Sequence, residues 1–284
     1  MWWGLLFSFV VAACAGNTSA DSTSESASQA PLSSTAPGSS TPPTTIDPAV
    51  AAANAEGRAM FISTTRCGDA GQSVGSGIAL SDGRVLTVAH VVAGATEISV
   101  IPANERPVPD TGSESDAESE PESVSGTESG SGSDMATATI VAYDPLRDLA
   151  LLEADLSRWP IPPPPDFEVL RENDAGTIVQ GATSGDVTFT VTEKTIIEMD
   201  EVRGTRRSRR SGYLVDAVTD RGDSGAGMYS ETGSFAGVLF AVSTGDSSRS
   251  WANAADEVQA FLDDEAVTGT FACDPEQSKV ERQP

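Results

Sequence analysis

Ser224 is the residue of this chain best placed to act as a nucleophile. It lies in the tetrapeptide Gly222-Asp223-Ser224-Gly225, where the flanking glycines allow a tight turn. A serine on such a turn can attack a carbonyl carbon while backbone N–H groups of the turn stabilise the oxyanion. Because Gly-Asp-Ser-Gly is also a common turn sequence, it predicts acyl-transfer chemistry only together with a base and an orienting carboxylate.

One histidine and one aspartate could complete a triad. His90, the only histidine, follows the β-type run Val85–Ala89, and Asp148 leads directly into the apolar run Leu149–Leu152. The imidazole could take the serine proton, and a partly buried carboxylate could fix its tautomer. Asp144 is a rival to Asp148, although its place before a proline predicts a solvated turn residue.

The context of these residues resembles the trypsin-like serine peptidases, especially the small bacterial members. The family shows a Thr-Ala-Ala-His-like motif, an Asp-(Ile/Leu)-Ala-Leu-Leu motif and Gly-Asp-Ser-Gly, in that order. Here the first two read Thr87-Val88-Ala89-His90 and Asp148-Leu149-Ala150-Leu151-Leu152. Gly75-Ser76-Gly77-Ile78 also matches the strand before the histidine in many members. The resemblance covers about residues 57–265.

The resemblance implies a fold and a set of roles. The fold would be all-β, with two antiparallel β-barrels, a C-terminal helix and the active site between the barrels. Ser224 would attack the scissile carbonyl, His90 would act as general base and then general acid, and Asp148 would orient His90. The backbone N–H groups of Gly222 and Ser224 would form the oxyanion hole. The implied activity is that of a serine endopeptidase acting on a protein or peptide substrate.

Two segments are implied to bind the substrate. In the resembling family the residue six positions before the nucleophile lies at the base of the primary pocket, which here is Val218, followed by Thr219. Since no carboxylate lies there to pair with Arg or Lys, we expect a small or medium apolar residue before the cleaved bond. Ser243 and Gly245, in Val242–Gly245, resemble the segment that pairs with the substrate backbone.

The chain departs from the family pattern around the nucleophile. Ala226 and Gly227 follow the tetrapeptide where members usually have Gly-Pro. No Ile/Val-Val-Gly-Gly start is present to supply a new N-terminus on activation. Asp223 therefore needs another partner, for which we expect an arginine.

Short strands separated by turn residues must position these groups, a pattern typical of a β-sandwich or barrel. The predicted strands are Met60–Thr65, Ser76–Leu80, Arg84–Val88, Glu97–Ile101, Ala136–Ala142, Ala150–Glu153, Gly176–Gln180, Val187–Val191, Thr195–Met199, Gly212–Val218, Gly225–Ser230 and Phe235–Ser243. A helix is predicted at Ala49–Ala59, with Asp47 as cap and Pro48 at its first position. A second helix is predicted at Ala254–Asp263 from its apolar spacing.

Two charged segments lie between predicted strands. Residues 103–134, rich in Ser, Gly, Glu, Asp and Thr, predict a disordered acidic insert in the first barrel. Five arginines fall within eight residues and predict a solvated loop, or alternatively a loop that meets the acidic insert or an acidic partner. They are Arg203, Arg206, Arg207, Arg209 and Arg210.

The N-terminal residues predict export and a lipid anchor. Residues 1–13 are apolar, too short for a transmembrane helix of about 20 residues, and suit a signal peptide. Val11-Ala12-Ala13-Cys14 resembles a bacterial lipobox, in which Cys14 carries lipid; an incidental Cys after an ordinary signal peptide is the alternative. Residues 14–47 would be a disordered linker, 48–272 the peptidase domain and 273–284 a tail. The expected location is extracytoplasmic, lipid-anchored to the bacterial cell envelope, in the periplasm or at the cell surface.

The remaining composition limits the partners. With Cys14 lipidated, the resembling fold implies a disulfide between Cys67 and Cys273, and two free thiols are the alternative. A net charge of −25 argues against nucleic-acid binding, and one His without a Cys cluster argues against a metal site. We expect no cofactor, no metal and a monomer.

Two other functions stay open. The chain could be a catalytically silent surface lipoprotein that uses the same fold as a binding module, although a complete triad argues against it. It could be an esterase, but the serine lacks the Gly-x-Ser-x-Gly spacing of that class.

Overall fold

The structure, a computed structural model, describes residues 47–67, 71–80, 83–106, 135–183, 185–202 and 204–264. The predicted signal peptide, almost all of the predicted linker, most of the acidic insert and the predicted tail lie outside these ranges. Cys14 and Cys273 lie outside them as well.

Twelve strands of the described chain form two closed barrels of six antiparallel strands each. The strands are β1 Ala59–Arg66, β2 Gln72–Ala79, β3 Arg84–Thr87, β4 Ala95–Pro102, β5 Ala136–Asp144, β6 Leu149–Ala154, β7 Ala175–Val179, β8 Val187–Asp200, β9 Arg207–Asp216, β10 Gly227–Ser230, β11 Phe235–Val242 and β12 Arg249–Ala254. The strand order is β1-β2-β3-β6-β5-β4 in the first barrel and β10-β11-β12-β9-β8-β7 in the second. The predicted all-β, two-barrel fold is confirmed.

Each barrel has an apolar interior. Ile62, Leu86 and Leu152 are buried in the first barrel, and Ile178 and Val215 belong to a separate cluster in the second. Burial of apolar surface contributes about 25 cal/mol per Å² and is the main term that holds such cores together. The larger cluster also takes in three aromatic residues of the second barrel, so the barrels share an apolar interface. These residues are Tyr229, Phe235 and Phe240.

Three short helices complete the described fold: α1 Pro48–Glu56, α2 Ala89–Val92 and α3 Ala255–Asp264. The predicted cap of α1 is present, since the Asp47 side chain accepts the Ala49 N–H at 2.8 Å. The predicted C-terminal helix is α3, which buries Val258 and Phe261 in the larger cluster. No helix in the described ranges is long and apolar enough to cross a membrane.

The second barrel differs from the sequence prediction in three strands. β8 is one strand of 14 residues, and β9 begins at Arg207 rather than Gly212. The expected solvated loop was therefore wrong for Arg207, Arg209 and Arg210, which lie in β9. β12 was missed because Ser250 and Asn253, which are buried polar residues on opposite faces of this short strand, leave no apolar alternation in its sequence.

The acidic insert begins later than predicted. Ala103–Glu105, assigned to the insert from the sequence, form a 3-10 turn directly after β4. Trp159 Nε1 donates to Glu105 Oε2 at 2.8 Å, which ties this turn to the chain beyond β6.

Candidate active site

Three short segments from both barrels carry the predicted triad. His90 lies in α2, directly after β3, and Asp148 ends the turn between β5 and β6 in the first barrel. Ser224 lies in the loop between β9 and β10 of the second barrel. His90 was expected at the end of a strand, but the extended chain ends at Val88 and His90 is the second residue of a helical turn.

The side chains of His90 and Asp148 form a direct pair. His90 Nδ1 lies 2.9 Å from Asp148 Oδ2 and 3.1 Å from Oδ1, and the His90 backbone N–H donates to Oδ1 at 2.9 Å. The carboxylate side chain is 7% exposed and the imidazole 37% exposed. A carboxylate at Nδ1 favours the tautomer with its proton there, which leaves Nε2 free to accept a proton.

The turn that holds Asp148 is closed by side chains on both sides. Asp148 has a φ of +53°, a left-handed conformation that costs a non-glycine residue about 1–2 kcal/mol. Asp144 Oδ1 accepts the N–H groups of Leu146 and Arg147 at 2.9 and 3.1 Å, and Asn253 Nδ2 donates to the Arg147 carbonyl at 3.1 Å. The expectation that Asp144 is a solvated turn residue was wrong, because it is buried as the acceptor that closes this turn.

Two glycines shape the loop of Ser224. Gly222 and Gly225 have φ angles of +104° and +93°, in the region that favours glycine. A Cβ on Gly225 would lie 2.0 Å from the carbonyl oxygen of Ser76 in β2. A larger residue at position 225 would therefore push the nucleophile loop away from the first barrel.

Ser76 fastens this loop to the first barrel. Its N–H donates to the Ser224 carbonyl and its hydroxyl donates to the Gly222 carbonyl, each at 2.8 Å. The hydroxyl oxygen also accepts the N–H groups of Gly181 and Ala182, at 3.0 and 3.1 Å. With their carbonyls held in this way, the Gly222–Asp223 and Ser224–Gly225 peptide groups have fixed orientations, and the peptide group that carries the Ser224 N–H lies between them.

The predicted oxyanion donors have no internal partner. Among the described residues, the N–H groups of Gly222 and Ser224 donate to no backbone or side-chain acceptor. Buried or half-buried N–H groups normally have a partner. Two unpaired N–H groups on the loop of a serine are what an oxyanion hole requires.

The Ser224 hydroxyl is turned towards β11. Its Oγ donates to the Phe240 carbonyl at 3.4 Å, a long contact for an O–H donor. No hydrogen bond between the described side chains of Ser224 and His90 is formed. In an unliganded active site such bonds are often absent and form only when the substrate is bound.

Asp223 is buried and held by neutral donors. Its carboxylate accepts the Thr183 hydroxyl, Gln180 Nε2 at 2.7 Å and the Asp220 N–H at 2.7 Å. The arginine expected as its partner was wrong. A buried carboxylate with three donors is stabilised without a charged N-terminus.

The four residues predicted to bind substrate have different surroundings. Thr219 is buried and its Oγ1 pairs with Ser250 Oγ at 2.8 Å, whereas Val218 is 65% exposed. Ser243 and Gly245 lie beyond the end of β11, where the Ser243 N–H donates to the Arg249 carbonyl at 2.9 Å. Their roles in binding stay predictions.

Sequence reasoning missed Phe240 and Ala241. Both residues line a cleft together with His90, and the Phe240 carbonyl meets the Ser224 hydroxyl. The run Phe235–Ser243 was recognised as a strand, but it contains no residue type that marks which position faces the serine.

Arg210 of β9 also lines the cleft beside His90, and no motif indicated it. The cleft has a volume of about 440 Å³. Burial lowers the pKa of Arg210 from its ordinary value, while the carboxylates of Asp148, Glu257 and Asp144 act in the opposite direction. The guanidinium nevertheless stays charged at neutral pH.

Cys67 is bound in a disulfide, and its partner lies outside the described residues. The predicted pairing with Cys273 therefore stays a prediction. Within the described ranges, no group of three His, Cys, Asp or Glu side chains is arranged to hold a metal ion.

The chain matches a protein-family model and a curated protein. Residues 75–238, more than half of the 284-residue chain, match the family model described as the trypsin-like peptidase domain. The serine protease Rv3671c of Mycobacterium tuberculosis is 28% identical over 211 residues, which are 70% of this chain and 44% of that protein. The chain therefore spans less than half the length of this curated relative.

Solved structures share the two-barrel fold. The Rv3671c protease of M. tuberculosis in its active form aligns with a TM-score of 0.61 and 24% identity, over 85% of this chain and 99% of that one. The HtrA-type protease AlgW with a tripeptide aligns with a TM-score of 0.54 and 20% identity, over 77% and 62%. The matched span contains His90, Asp148 and Ser224, and the chain belongs to the trypsin-like peptidase family.

Proposed function

We propose that the chain is a serine endopeptidase that hydrolyses peptide bonds through Ser224, His90 and Asp148. The observation that carries the proposal is the 2.9 Å contact of His90 Nδ1 with Asp148 in a cleft that Phe240 also lines. The Phe240 carbonyl accepts from Ser224, whose loop has two N–H groups without a partner among the described residues. Membership of the trypsin-like peptidase family supports the same activity. Matched relatives are named as serine proteases, although the chain covers only 44% of them.

The mechanism assigns one role to each member of the triad and to the two N–H groups of the serine loop. Ser224 Oγ leaves the Phe240 carbonyl, gives its proton to His90 Nε2 and forms a bond to the carbonyl carbon of the substrate. The N–H groups of Gly222 and Ser224 donate to the oxyanion, a stabilisation of about 3 kcal/mol per donor. His90 then protonates the leaving amine, and water attacks the acyl-enzyme by the reverse proton path.

The primary pocket of this enzyme takes a small or medium apolar residue. Thr219 is engaged with Ser250, so no ionised group is directed into the pocket from this wall. Val218 carries no charge either. Without a carboxylate, a cationic substrate side chain would be desolvated there without a partner.

The location proposed is outside the cytoplasm, with a lipid anchor at Cys14. The disulfide at Cys67 supports this location, because disulfides persist in oxidising compartments and are rare in the cytosol.

The test of activity compares wild type with Ser224→Ala, His90→Ala and a surface control, Ser157→Ala. Each purified protein is treated with a fluorophosphonate probe and digested with a peptide library. We expect wild type and Ser157→Ala to be labelled and to cleave amide bonds, and the two triad variants to lose about 10⁴-fold or more in kcat.

Other outcomes contradict the proposal in different ways. Cleavage by Ser224→Ala at the wild-type rate would show that the site is misassigned. No labelling of the folded wild type would favour the silent binding module. Labelling with ester but no amide hydrolysis would favour the esterase.

A further inference from the structure

Arg210 differs from the other arginines of β9 in the face of the strand that it occupies. Side chains alternate along a strand, so Arg207 and Arg209 share one face and Arg210 lies on the other. The first two are exposed and pair across to β8, with Asp200 at 3.6 Å and Glu198 at 3.2 Å. Arg210 is 3% exposed, and no carboxylate of the described chain lies within 4 Å of its nitrogens.

The contacts of Arg210 leave its hydrogen-bond donors largely unused. Its guanidinium stacks over the Phe240 ring at 4.2 Å, and one terminal nitrogen contacts Met199 Sδ at 3.2 Å, a weak acceptor. Its Nε is buried and has no partner in the described structure. Burying a cation without strong acceptors lowers the free energy of unfolding, so stability alone does not explain the position of Arg210.

Arg58 provides the comparison within the same fold. It is also buried, but it donates to the carbonyls of Ala79 at 3.2 Å and Pro162 at 2.8 Å. Backbone carbonyls can therefore satisfy a buried arginine in this protein. Arg210 instead lines a cleft that a ligand can enter.

Arg210 forms no ion pair with the described carboxylates around this cleft, although Asp148, Glu257 and Asp144 act on it over a longer distance. Arg66 also lines the cleft, and it donates to the His90 carbonyl at 3.0 Å and to Ser73 Oγ at 3.2 Å. The acidic residues that line it are already engaged, Asp148 with His90 at 2.9 Å and Asp200 with Arg207 at 3.6 Å. The net charge of −25 acts over longer distances, where salt screens it beyond about 8–10 Å.

We propose that Arg210 binds the carboxylate of an Asp or Glu side chain of the peptide substrate, held against His90 and Phe240. This inference rests on the proposed peptidase function and adds a second specificity site to it. The planar guanidinium can bind both carboxylate oxygens, which is stronger and more directional than a contact with a neutral side chain. The selected position differs from the one that enters the apolar pocket at Val218 and Thr219.

The test uses matched peptides that carry Glu or Gln at each position near the cleaved bond. For wild type, Glu at one position is expected to give a kcat/KM about 10-fold to 100-fold higher than Gln, the usual range for a charge-assisted hydrogen bond. In Arg210→Met, which keeps an apolar side chain over Phe240, that ratio is expected to fall to about 1. Arg209→Gln, on the exposed face of the same strand, is the matched control and should keep the wild-type ratio.

The outcomes separate this inference from the proposed function. Cleavage without a Glu preference at any position overturns the role of Arg210 and leaves the peptidase intact. Equal loss of rate on Glu and Gln peptides in Arg210→Met assigns a structural role and overturns it too. If Arg210→Met does not fold, Arg210→Lys replaces it, and a reduced ratio that stays above 1 supports the inference. Failure of wild type to react with the fluorophosphonate or with any peptide overturns both proposals.

Discussion

At the scale of single residues, the hydroxyl of Ser76 joins three backbone segments at one point. It donates to the Gly222 carbonyl and accepts from Gly181 and Ala182, so the nucleophile loop, β2 and the chain after β7 meet at one oxygen. Ser76 has no direct part in the chemistry. Its effect on catalysis is to hold the orientation of the peptide groups that precede Ser224.

We predict that Ser76→Ala slows catalysis more than it weakens substrate binding. Loss of the hydroxyl leaves two N–H groups and one carbonyl without their partner, which should lower the free energy of unfolding by about 1–3 kcal/mol. Because the oxyanion donors shift, kcat should fall by about tenfold or more while KM changes little. Steady-state kinetics and urea denaturation measure both effects.

The control for this variant is Ser230→Ala at the far end of β10. Ser230 is also buried, and its hydroxyl donates to Glu168 at 2.7 Å, away from the nucleophile loop. It should lose stability and keep kcat. Equal kcat values for Ser76→Ala and wild type would contradict the positioning role.

The proposed catalytic residues were more predictable than the other residues around the cleft. His90, Asp148 and Ser224 stand in local motifs, because their chemistry requires defined neighbours in the chain. Phe240 and Arg210 line the cleft because the fold brings them there. Phe and Arg are ordinary residues in a strand, so no local motif marks them. Arg210 can be assigned to the buried face of β9 only when the strand is known to begin at Arg207. The sequence analysis placed the start of this strand at Gly212.

At the scale of elements, α3 is fixed to the turn of Asp148 by Arg147. The Arg147 guanidinium lies 3.0 Å from Glu257, 3.0 Å from Asp264 and 3.2 Å from Asp144. Glu257 and Asp264 belong to α3, and Asp144 closes the turn. One cation thus links a helix from the end of the domain to the left-handed residue that orients His90.

We predict that Arg147→Gln loosens the Asp148 turn. Three carboxylates lose their shared cation, which should lower the free energy of unfolding by about 1–3 kcal/mol. Since the φ of +53° at Asp148 is then less well held, kcat should fall by about tenfold. Thermal unfolding and kinetics on one peptide substrate provide the measurement.

Lys194→Met is the matched control for the helix. Lys194 in β8 also pairs with α3, through Asp256 at 3.2 Å, but this contact is partly exposed and far from the turn in sequence. Its kcat should equal that of wild type. If both variants lower kcat equally, α3 acts through general stability and not through Arg147.

Elements were predicted from the sequence where their burial pattern was apolar. β11 and α3 carry clear apolar runs and were found with small errors at their ends. β12 was missed because two of its buried positions are polar and are satisfied by specific partners, such as Ser250 with the Ala217 carbonyl at 3.0 Å. Hydrogen-bond partners that lie far apart in the chain have no local signal.

At the scale of the whole molecule, the strand pattern predicted a β-sandwich or barrel, and the resemblance of the motifs to the trypsin-like peptidases implied two barrels. Two further features concern the location of that domain: the proposed lipid anchor at Cys14 and the disulfide of Cys67. Cys67 lies at the end of β1 and is bonded to a cysteine outside the described residues. The partner we propose is Cys273.

We predict that the mature chain begins at lipidated Cys14 and contains a Cys67–Cys273 bridge. Mass spectrometry of the membrane fraction, before and after reduction, should find a diacylated N-terminal peptide and one disulfide-linked pair. Cys14→Ser should release the protein or leave it unprocessed. A mature N-terminus elsewhere would reject the anchor, and free thiols at Cys67 or Cys273 in denatured, unreduced protein would reject the bridge.

The hydrogen bonds between Ser76 and the nucleophile loop also bear on how the protein unfolds. Each barrel has its own apolar interior, which by itself predicts independent opening and a separate rate of amide hydrogen exchange for each barrel. The loop of Ser224, however, keeps its shape only while β2 of the other barrel is in place, since Ser76 holds both the Gly222 and Ser224 carbonyls. Opening of the first barrel must therefore free the amides of Gly181 and Ala182 in the second barrel, because both donate to the Ser76 hydroxyl. Where Ser76 contacts the nucleophile loop, the two barrels form a single cooperative unit. A state with only one barrel folded therefore has no assembled nucleophile loop.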